Sequence, residues 1–437
     1  MNHLAQELNA VLDGTIAGRL LSGLGRRLYF PRGIIAQAGE AKQKSHRANA
    51  TLGMAYSGGK PLMMSAIAEN LPALEAGEIV VYAPTAGIER ARNLWRDLLV
   101  QKNPSINPER ISLPVVVPGI TAGISYMADL FLDEGTPVIA GDPYWDNYEF
   151  IFQERRGAIL RGVPFFGRKA GGFGPGLDMA AIEGAVRAEA QTGTVRLLLN
   201  FPNNPSGYAP TKTEAEQLIA LIREAAEGGA DILVVCDDAY FGLFYEDNIH
   251  DESLFSRLSS LHDRVLAIKV DGPTKEDYAW GFRMGFITLG SRGLGAGHYD
   301  ALVKKLMGAI RSSVSCANTP AQYLMLKILA DKRTAQEKES YYRMLRGRYR
   351  AVKHFITENP EHPRLKPLPF NSGYFMSFHC SGIDAGALRE ELLSRHGIGV
   401  IALGTHYLRI AFSSIDEEQI PEIYRIIYDT ADTAAGG

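Results

Sequence analysis

A chain of 437 residues is too long for one small core and long enough for a sizeable sheet domain with a second domain packed beside it. Hydrophobic residues are 46% and charged residues 22%, with 45 glycines, 22 prolines and no short repeat, a balance that excludes fibrous and disordered chains. The formal net charge of -3, without a basic run, argues against a nucleic-acid partner.

At the N-terminus, MNHLAQELNAVLDG carries polar residues where a signal peptide needs an apolar core. No apolar run reaches the ~18 residues of a membrane span. Cys236, Cys316 and Cys380 lie far apart, without the paired spacing of a zinc site or a disulfide framework. A soluble cytoplasmic protein in a reducing compartment is therefore expected, with no metal and no membrane partner.

From about Tyr56 to Ser315, short apolar runs alternate with helical segments, as in a mostly parallel sheet covered by helices. A helix is expected over 121–132, a turn over 133–136, a short strand over 137–140 and another helix after Tyr144. A strand over 195–199 runs into the turn-rich stretch 200–207, followed by a helix with Leu218, Ile219 and Ile222 on one stripe. The strand 232–236 is apolar at every position, as a strand covered on both faces should be. A further strand covers 264–270. From Asn318 a long helical region extends through Lys353, followed by Pro360, Pro363, Pro367 and Pro369, a strand over 374–378, a helix over 385–395 and a strand near 407–412. The fold class read from this order is α/β, with a smaller α+β domain after it. The expected division is 1–55 as a segment of the small domain or of dimer contacts, 56–315 as the large domain and 316–437 as the small C-terminal domain.

Three segments carry possible chemistry, and each has a bland reading. Asp237-Asp238-Ala239-Tyr240 follows an apolar strand, where a parallel sheet binds ligands at its carboxyl edge, but Asp237 serves equally well as a helix cap. Asn204-Pro205-Ser206-Gly207 is built of ordinary turn residues. Lys275 follows a strand and precedes Arg283 by eight residues, yet a lone loop lysine is usually solvated.

Together, Asn204-Pro205-Ser206-Gly207, Asp237-Asp238-Ala239-Tyr240, Lys275 with Arg283, and Arg409 in Tyr407-Leu408-Arg409-Ile410-Ala411 resemble, in order and separation, the fold-type I aminotransferases of class I/II. The group includes aspartate and aromatic aminotransferases. The likeness extends from about Tyr56 to Phe412. It implies pyridoxal 5'-phosphate held on Lys275, with Asp237 at the ring nitrogen and Tyr240 and Asn204 at the phenolic oxygen. Trp145 is implied as the ring that stacks on the pyridine, and Arg283, Ile120, Thr121 and Thr274 as the phosphate site. Tyr82 resembles the tyrosine that reaches the phosphate of a partner subunit, which implies a homodimer with active sites near the interface. Arg409, with Asn204, is implied at the substrate α-carboxylate; the bland alternative for Arg409 is a surface position on an edge strand.

The resemblance implies ping-pong transfer of an amino group from an amino acid to a 2-oxo acid, with Lys275 as the proton-moving base. The alternative reaction on the same scaffold is β-elimination from an amino acid of the C–S lyase type. An effector-sensing regulator is disfavoured, because barely 50 residues precede the domain and they lack a recognition helix. One position departs from the family pattern: Gly272 stands where many relatives have a phosphate-binding serine. Lys269 is the poorer candidate for the cofactor lysine, since eight residues onward it has Asp277. Arg32, Lys60, Arg292 and Arg311 are candidates to meet a distal carboxylate, and Tyr29, Phe30 and Tyr56 to line an aromatic pocket.

Overall fold

Largely apolar runs along the inner strands decide what the central sheet buries. The computed structural model describes residues 2–13, 15, 21, 23–29, 33–359 and 362–433. Among them, seven strands form that sheet: β1 Val115–Val117, β2 Pro137–Asp142, β3 Ile159–Pro164, β4 Thr194–Asn200, β5 Asp231–Asp237, β6 Val265–Asp271 and β7 Gly285–Gly290. Their spatial order is β1-β7-β6-β5-β4-β2-β3. Only β7 runs antiparallel to its neighbours. In β5, Leu233 and Val235 join Ile268 and Val270 in the core of one face. Ile232, Val234 and Cys236 join Val265 and Ala267 on the other. Successive side chains point to opposite faces, so a strand with helices on both sides must be apolar throughout.

A second, antiparallel sheet has the order Leu365–Pro367, Phe375–Cys380, Tyr407–Ala411, Ile401–Leu403. The N-terminal segment joins this part of the fold: Ala48–Asn49 pairs in parallel with Ile398–Gly399. The helix Ile34–Lys44 is pinned there too, because the Gln37 amide donates to the Ala402 carbonyl at 2.9 Å and accepts from its N–H at 2.8 Å. No helix among the described residues is long and apolar enough to cross a membrane.

Two expectations change in detail. The helical stretch after Asn318 is two helices, Thr319–Ala330 and Lys332–Glu358, because the Asp331 side chain accepts the Arg333 N–H at 2.9 Å and caps the second. The helix after Tyr144 contains a π-helical stretch, Glu149–Glu154.

The turn after β4 ties the two sheets together. The Gly207 carbonyl accepts from the Asn371 and Ser372 N–H groups, both at 2.9 Å. Gly207 has φ +77, and a Cβ there would lie 1.9 Å from the Phe375 carbonyl oxygen. Both the backbone conformation and the close approach therefore demand glycine. Gly207→Ala is expected to destabilise the protein by roughly 3 kcal/mol, seen as a lowered urea midpoint. An unchanged midpoint would contradict this account of the interface.

Candidate active site

Asp237 is the last residue of β5, in register with Asn200 of β4 and Val270 of β6. One residue beyond Val270, β6 ends; Gly272 follows, and then the short helix Pro273–Glu276, which carries Lys275. Strand pairing thus brings two residues 38 positions apart in the sequence to the same edge of the sheet, and both line one cavity of about 330 Å³. Ile120, Thr121, Trp145, Asn204, Tyr240, Thr274, Arg283 and Arg409 line it as well. Of the expected site residues only Tyr82 lies outside; it is 87% exposed.

Asp237 is buried, and burial raises its carboxyl to about 6, opposed by a hydrogen bond from Tyr148 and by the charge of Lys275. The Tyr148 hydroxyl donates to Oδ2, and the Ala239 N–H donates to Oδ1 at 3.3 Å. The local bond resembles a cap, but no helix starts at this point. Asn200 braces the same corner: its amide donates to the Asp237 carbonyl at 2.9 Å and its oxygen accepts the Asn204 N–H at 2.8 Å. Neither Tyr148 nor Asn200 was singled out from the sequence. The available signal for Tyr148 is its position three residues after Trp145, which places both rings on one side of a helical turn, edge to face at 5.4 Å.

Lys275 Nζ stands 5.0 Å from the centre of the Tyr240 ring. Burial pulls its amine down to about 8, with Asp237 opposing and Arg283 adding to the fall. A solvated loop lysine would lack this environment. Lys269, by contrast, is consumed by structure: it is fully buried, paired with Asp238, 3.5 Å from Asp271 and 4.6 Å from the Phe241 ring centre.

The helix Ile120–Phe131 begins at the cavity, where Ile120 and Thr121 line it, directly after Gly119, whose φ is +91; the N–H groups of its first turn lack intrahelical partners. A Cβ on Gly119 would come within 2.7 Å of Arg283 Nη2, so glycine makes room for the guanidinium. Arg283 itself adopts φ +49, and its Nη1 donates to the Trp280 carbonyl at 3.3 Å. The departure at Gly272 has a steric cause. A Cβ there would meet Gly285 Cα and the Met284 carbonyl oxygen, each at 2.9 Å, so a serine does not fit. The Thr274 hydroxyl lies 3.4 Å from that same carbonyl.

Arg409 sits on an interior strand of the second sheet, paired on both sides, and is 2% exposed. An exposed edge position is therefore ruled out. Its Nη1 donates to Asn204 Oδ1 at 2.9 Å, its Nη2 to the Thr51 carbonyl at 3.1 Å, and its guanidinium lies 4.3 Å from the Phe375 ring centre. Nε is buried without a partner. Because Arg409 occupies the Asn204 oxygen, the donors of that amide remain available to a ligand.

The candidates for a distal substrate group are scattered. Lys60 is exposed on a hairpin, Arg292 pairs with Asp263 at 2.8 Å, and Arg311 is exposed at a helix end. Tyr29 packs on Phe150 with ring centres 4.7 Å apart, Tyr56 sits on the hairpin with Lys60, and Phe30 and Arg32 lie outside the described residues.

The residue types fit pyridoxal 5'-phosphate. A lysine amine suits its aldehyde, a buried carboxylate its ring nitrogen, a phenol and an amide its ring oxygen, and a helix N-terminus beside an arginine its phosphate.

Comparison with known proteins agrees. The family model for aminotransferase class I and II matches residues 53–427. The chain is 25% identical to the aspartate/prephenate aminotransferase of Thermus thermophilus over 343 residues, covering 77% of this chain and 80% of that one. It is 23% identical to the aspartate aminotransferase of Thermotoga maritima over 367 residues, covering 82% and 86%. An aminotransferase structure from Anaerococcus prevotii superposes with a TM-score of 0.80 at 24% identity, covering 92% of this chain and 98% of that one. With its sheet, its lysine and its cavity in this arrangement, the chain belongs to the class I and II aminotransferases, pyridoxal 5'-phosphate enzymes that transfer amino groups between amino acids and 2-oxo acids.

Proposed function

We propose that Lys275 is the cofactor lysine and catalytic base, that Asp237 anchors the ring nitrogen, and that Arg409 holds the substrate α-carboxylate. The observation that carries this reading is the convergence of all three on one cavity, Asp237 and Lys275 from the carboxyl edge of the central sheet and Arg409 from a strand of the second sheet. The bound cofactor supplies a sink for the electron pair left at the α-carbon. Lys275 Nζ, brought from the ordinary lysine value down to about 8, would serve as the base that takes the α-proton of the amino acid and later gives up a proton. Arg409 offers a planar fork that orients the Cα–H bond toward that amine. Were the cofactor bound, Asp237 would keep its ring nitrogen protonated, Tyr240 and Asn204 would donate to its ring oxygen, Trp145 would supply an aromatic face, and Arg283, Thr121, Thr274 and the N–H groups at Ile120 would hold its phosphate.

The side chain of the amino acid meets Ile34, Ala38, Leu52 and Phe375, an apolar wall that favours neutral donors over dicarboxylic ones. We place the enzyme as a cytoplasmic homodimer. Met63, Leu71, Ile79, Val80, Val81 and Tyr82, all within residues 63–82, are large apolar side chains that stand exposed. This supports a subunit contact in which Tyr82 reaches the neighbouring phosphate site. Residues 56–315 act as the cofactor domain and 316–437 as the small domain, with 1–55 completing the small domain or the contact.

The holoenzyme, mixed with single amino acids, should lose its cofactor absorbance band after one equivalent of 2-oxo acid and then stop, fastest with neutral apolar donors. Continuous turnover with release of ammonia would instead establish β-elimination, and a preference for aspartate or glutamate would overturn the reading of the apolar wall. Lys275→Ala should lower turnover by at least ~100-fold. Arg409→Leu should lower kcat/KM by roughly 100-fold.

Cofactor uptake carries a pH signature. Asp237 must be ionised to pair with a protonated ring nitrogen, so affinity in the cofactor-free protein should fall as pH drops through about 6. Tyr148→Phe removes a hydrogen bond that favours the carboxylate, so the midpoint should move upward. Fluorescence titration with pyridoxal 5'-phosphate between pH ~5 and ~8 measures both; a midpoint that stays or falls in the variant contradicts the assignment. Sedimentation should give a dimer, and Tyr82→Phe should weaken cofactor binding without dissociating it. A monomeric, fully active enzyme would sink the interface.

A further inference from the structure

Lys275 is followed directly by two acids, Glu276 and Asp277, and neither lines the cavity. Asp277 is 1% exposed. Two lysines from different helices meet these acids behind the catalytic turn. Lys102, the last residue of the helix Glu89–Lys102, lies 2.5 Å from Glu276 Oε1. Lys338, on the helix Lys332–Glu358, lies 2.7 Å from Asp277 Oδ1 and 3.3 Å from Glu276 Oε1. The other Asp277 oxygen is buried and has no hydrogen-bond partner, which leaves Lys338 to neutralise that carboxylate. Burial lowers the Lys338 amine, but Asp277 and Glu276 outweigh it and raise the amine well above its ordinary value, so it stays charged.

The turn these charges hold is not one that relaxes into place unaided. Tyr278 and Arg283, neither of them glycine, adopt φ +53 and φ +49. Such conformations persist only where surroundings impose them. On the side before the lysine, Asp271 is held by the Trp95 indole N–H at 3.0 Å and lies 3.5 Å from Lys269. Overhead, the Tyr374 hydroxyl donates to the Lys275 carbonyl at 3.0 Å.

We propose that Lys338 is a positioning residue for catalysis: by balancing Glu276 and Asp277 it fixes the turn that carries Lys275 and ties the placement of Nζ to the helix Lys332–Glu358. The inference rests on Lys275 being the cofactor lysine. Two carboxylates face two ammonium groups, so removal of either lysine leaves one negative charge unbalanced, and removal of Lys338 leaves the buried Asp277 with no counter-charge. Such a group forces the turn to open toward water or to take up a proton. Lys275 is the adjacent residue, and a displacement of ~1 Å of a reacting group is worth ~100-fold in rate. The groups facing the Lys275 amine are Asp237 from β5, the Tyr240 ring after β5 and Arg283 before β7. An unbalanced carboxylate behind the turn would add to Asp237 and favour the charged amine.

The test compares Lys338→Met, Lys338→Arg and Asp277→Asn in the full-length chain. Without cofactor, the titration of Lys275 is followed by the pH dependence of its acylation with acetic anhydride, read by peptide mass spectrometry. The midpoint should rise by about half a pH unit in Lys338→Met, fall in Asp277→Asn and stay put in Lys338→Arg. With cofactor, kcat should drop ~10- to 100-fold in Lys338→Met while KM for the amino acid changes little, and Lys338→Arg should keep most of the activity. Unchanged kcat and Lys275 midpoint in Lys338→Met, with only a lower urea midpoint, would overturn the proposal. Midpoints moving the same way in the two charge-altering variants would do the same. Asp277→Asn, nearly isosteric, decides the question by its direction alone if Lys338→Met does not fold. A Lys275→Ala enzyme that still turned over would sink the underlying assignment instead.

Discussion

A carboxylate and an amine share one poorly solvated cavity at the ends of adjacent parallel strands, and the rest of the molecule holds them there. Burial drives Asp237 up to about 6 and Lys275 down to about 8, and each charge favours the other. An isolated charge in such a place would neutralise or recruit water. Here the opposing charge, the Tyr148 hydroxyl and the Ala239 N–H leave Asp237 ionisable, while Lys275 remains close enough to neutrality to accept a proton. Reactive groups of this kind need rigid support, and the register of β4, β5 and β6 supplies it.

The second constraint is that the site belongs to two sheets. Arg409 lies on the small antiparallel sheet, yet its guanidinium bonds Asn204 of the turn after β4. The Gly207 carbonyl, three residues beyond Asn204, accepts two N–H groups from the approach to the small sheet. Arg409 and the Asn204 turn are thus set relative to each other by one side-chain bond and a short run of backbone contacts. Phe375 takes part in both: its carbonyl closes over Gly207 and its ring lies under Arg409. Beneath the turn that carries Lys275, Lys269 pairs with Asp271, Asp271 with the Trp95 indole, and the partly buried Lys102, 5.7 Å from the Trp95 ring centre, with Glu276.

Much of the fold was legible because its signals are local. An apolar run such as 232–236 followed by an acid, or a helical stripe through Leu218, Ile219 and Ile222, follows from the period of the backbone and needs no knowledge of distant residues. The strands passed over had weak local signals. β1 is three residues long, β3 is interrupted by Arg161 and Gly162 at the sheet edge, and β7 is bounded by glycines. The antiparallel direction of β7 carries no local signature at all.

By itself, the order of residues determined the α/β class and the family likeness, because spacing along a chain survives in the sequence. It also marked Lys275, Asp237, Asn204, Tyr240, Arg283 and Arg409 as a set. Only the tertiary structure decided that Tyr148 and Asn200 brace Asp237, that Gly272 is excluded from being serine by Gly285, and that Lys338 backs the turn that carries Lys275. Each of those contacts joins residues separated by 13 to 89 positions, and the energy of such contacts depends on which segments pack together. A periodic pattern read along the chain contains no term for it.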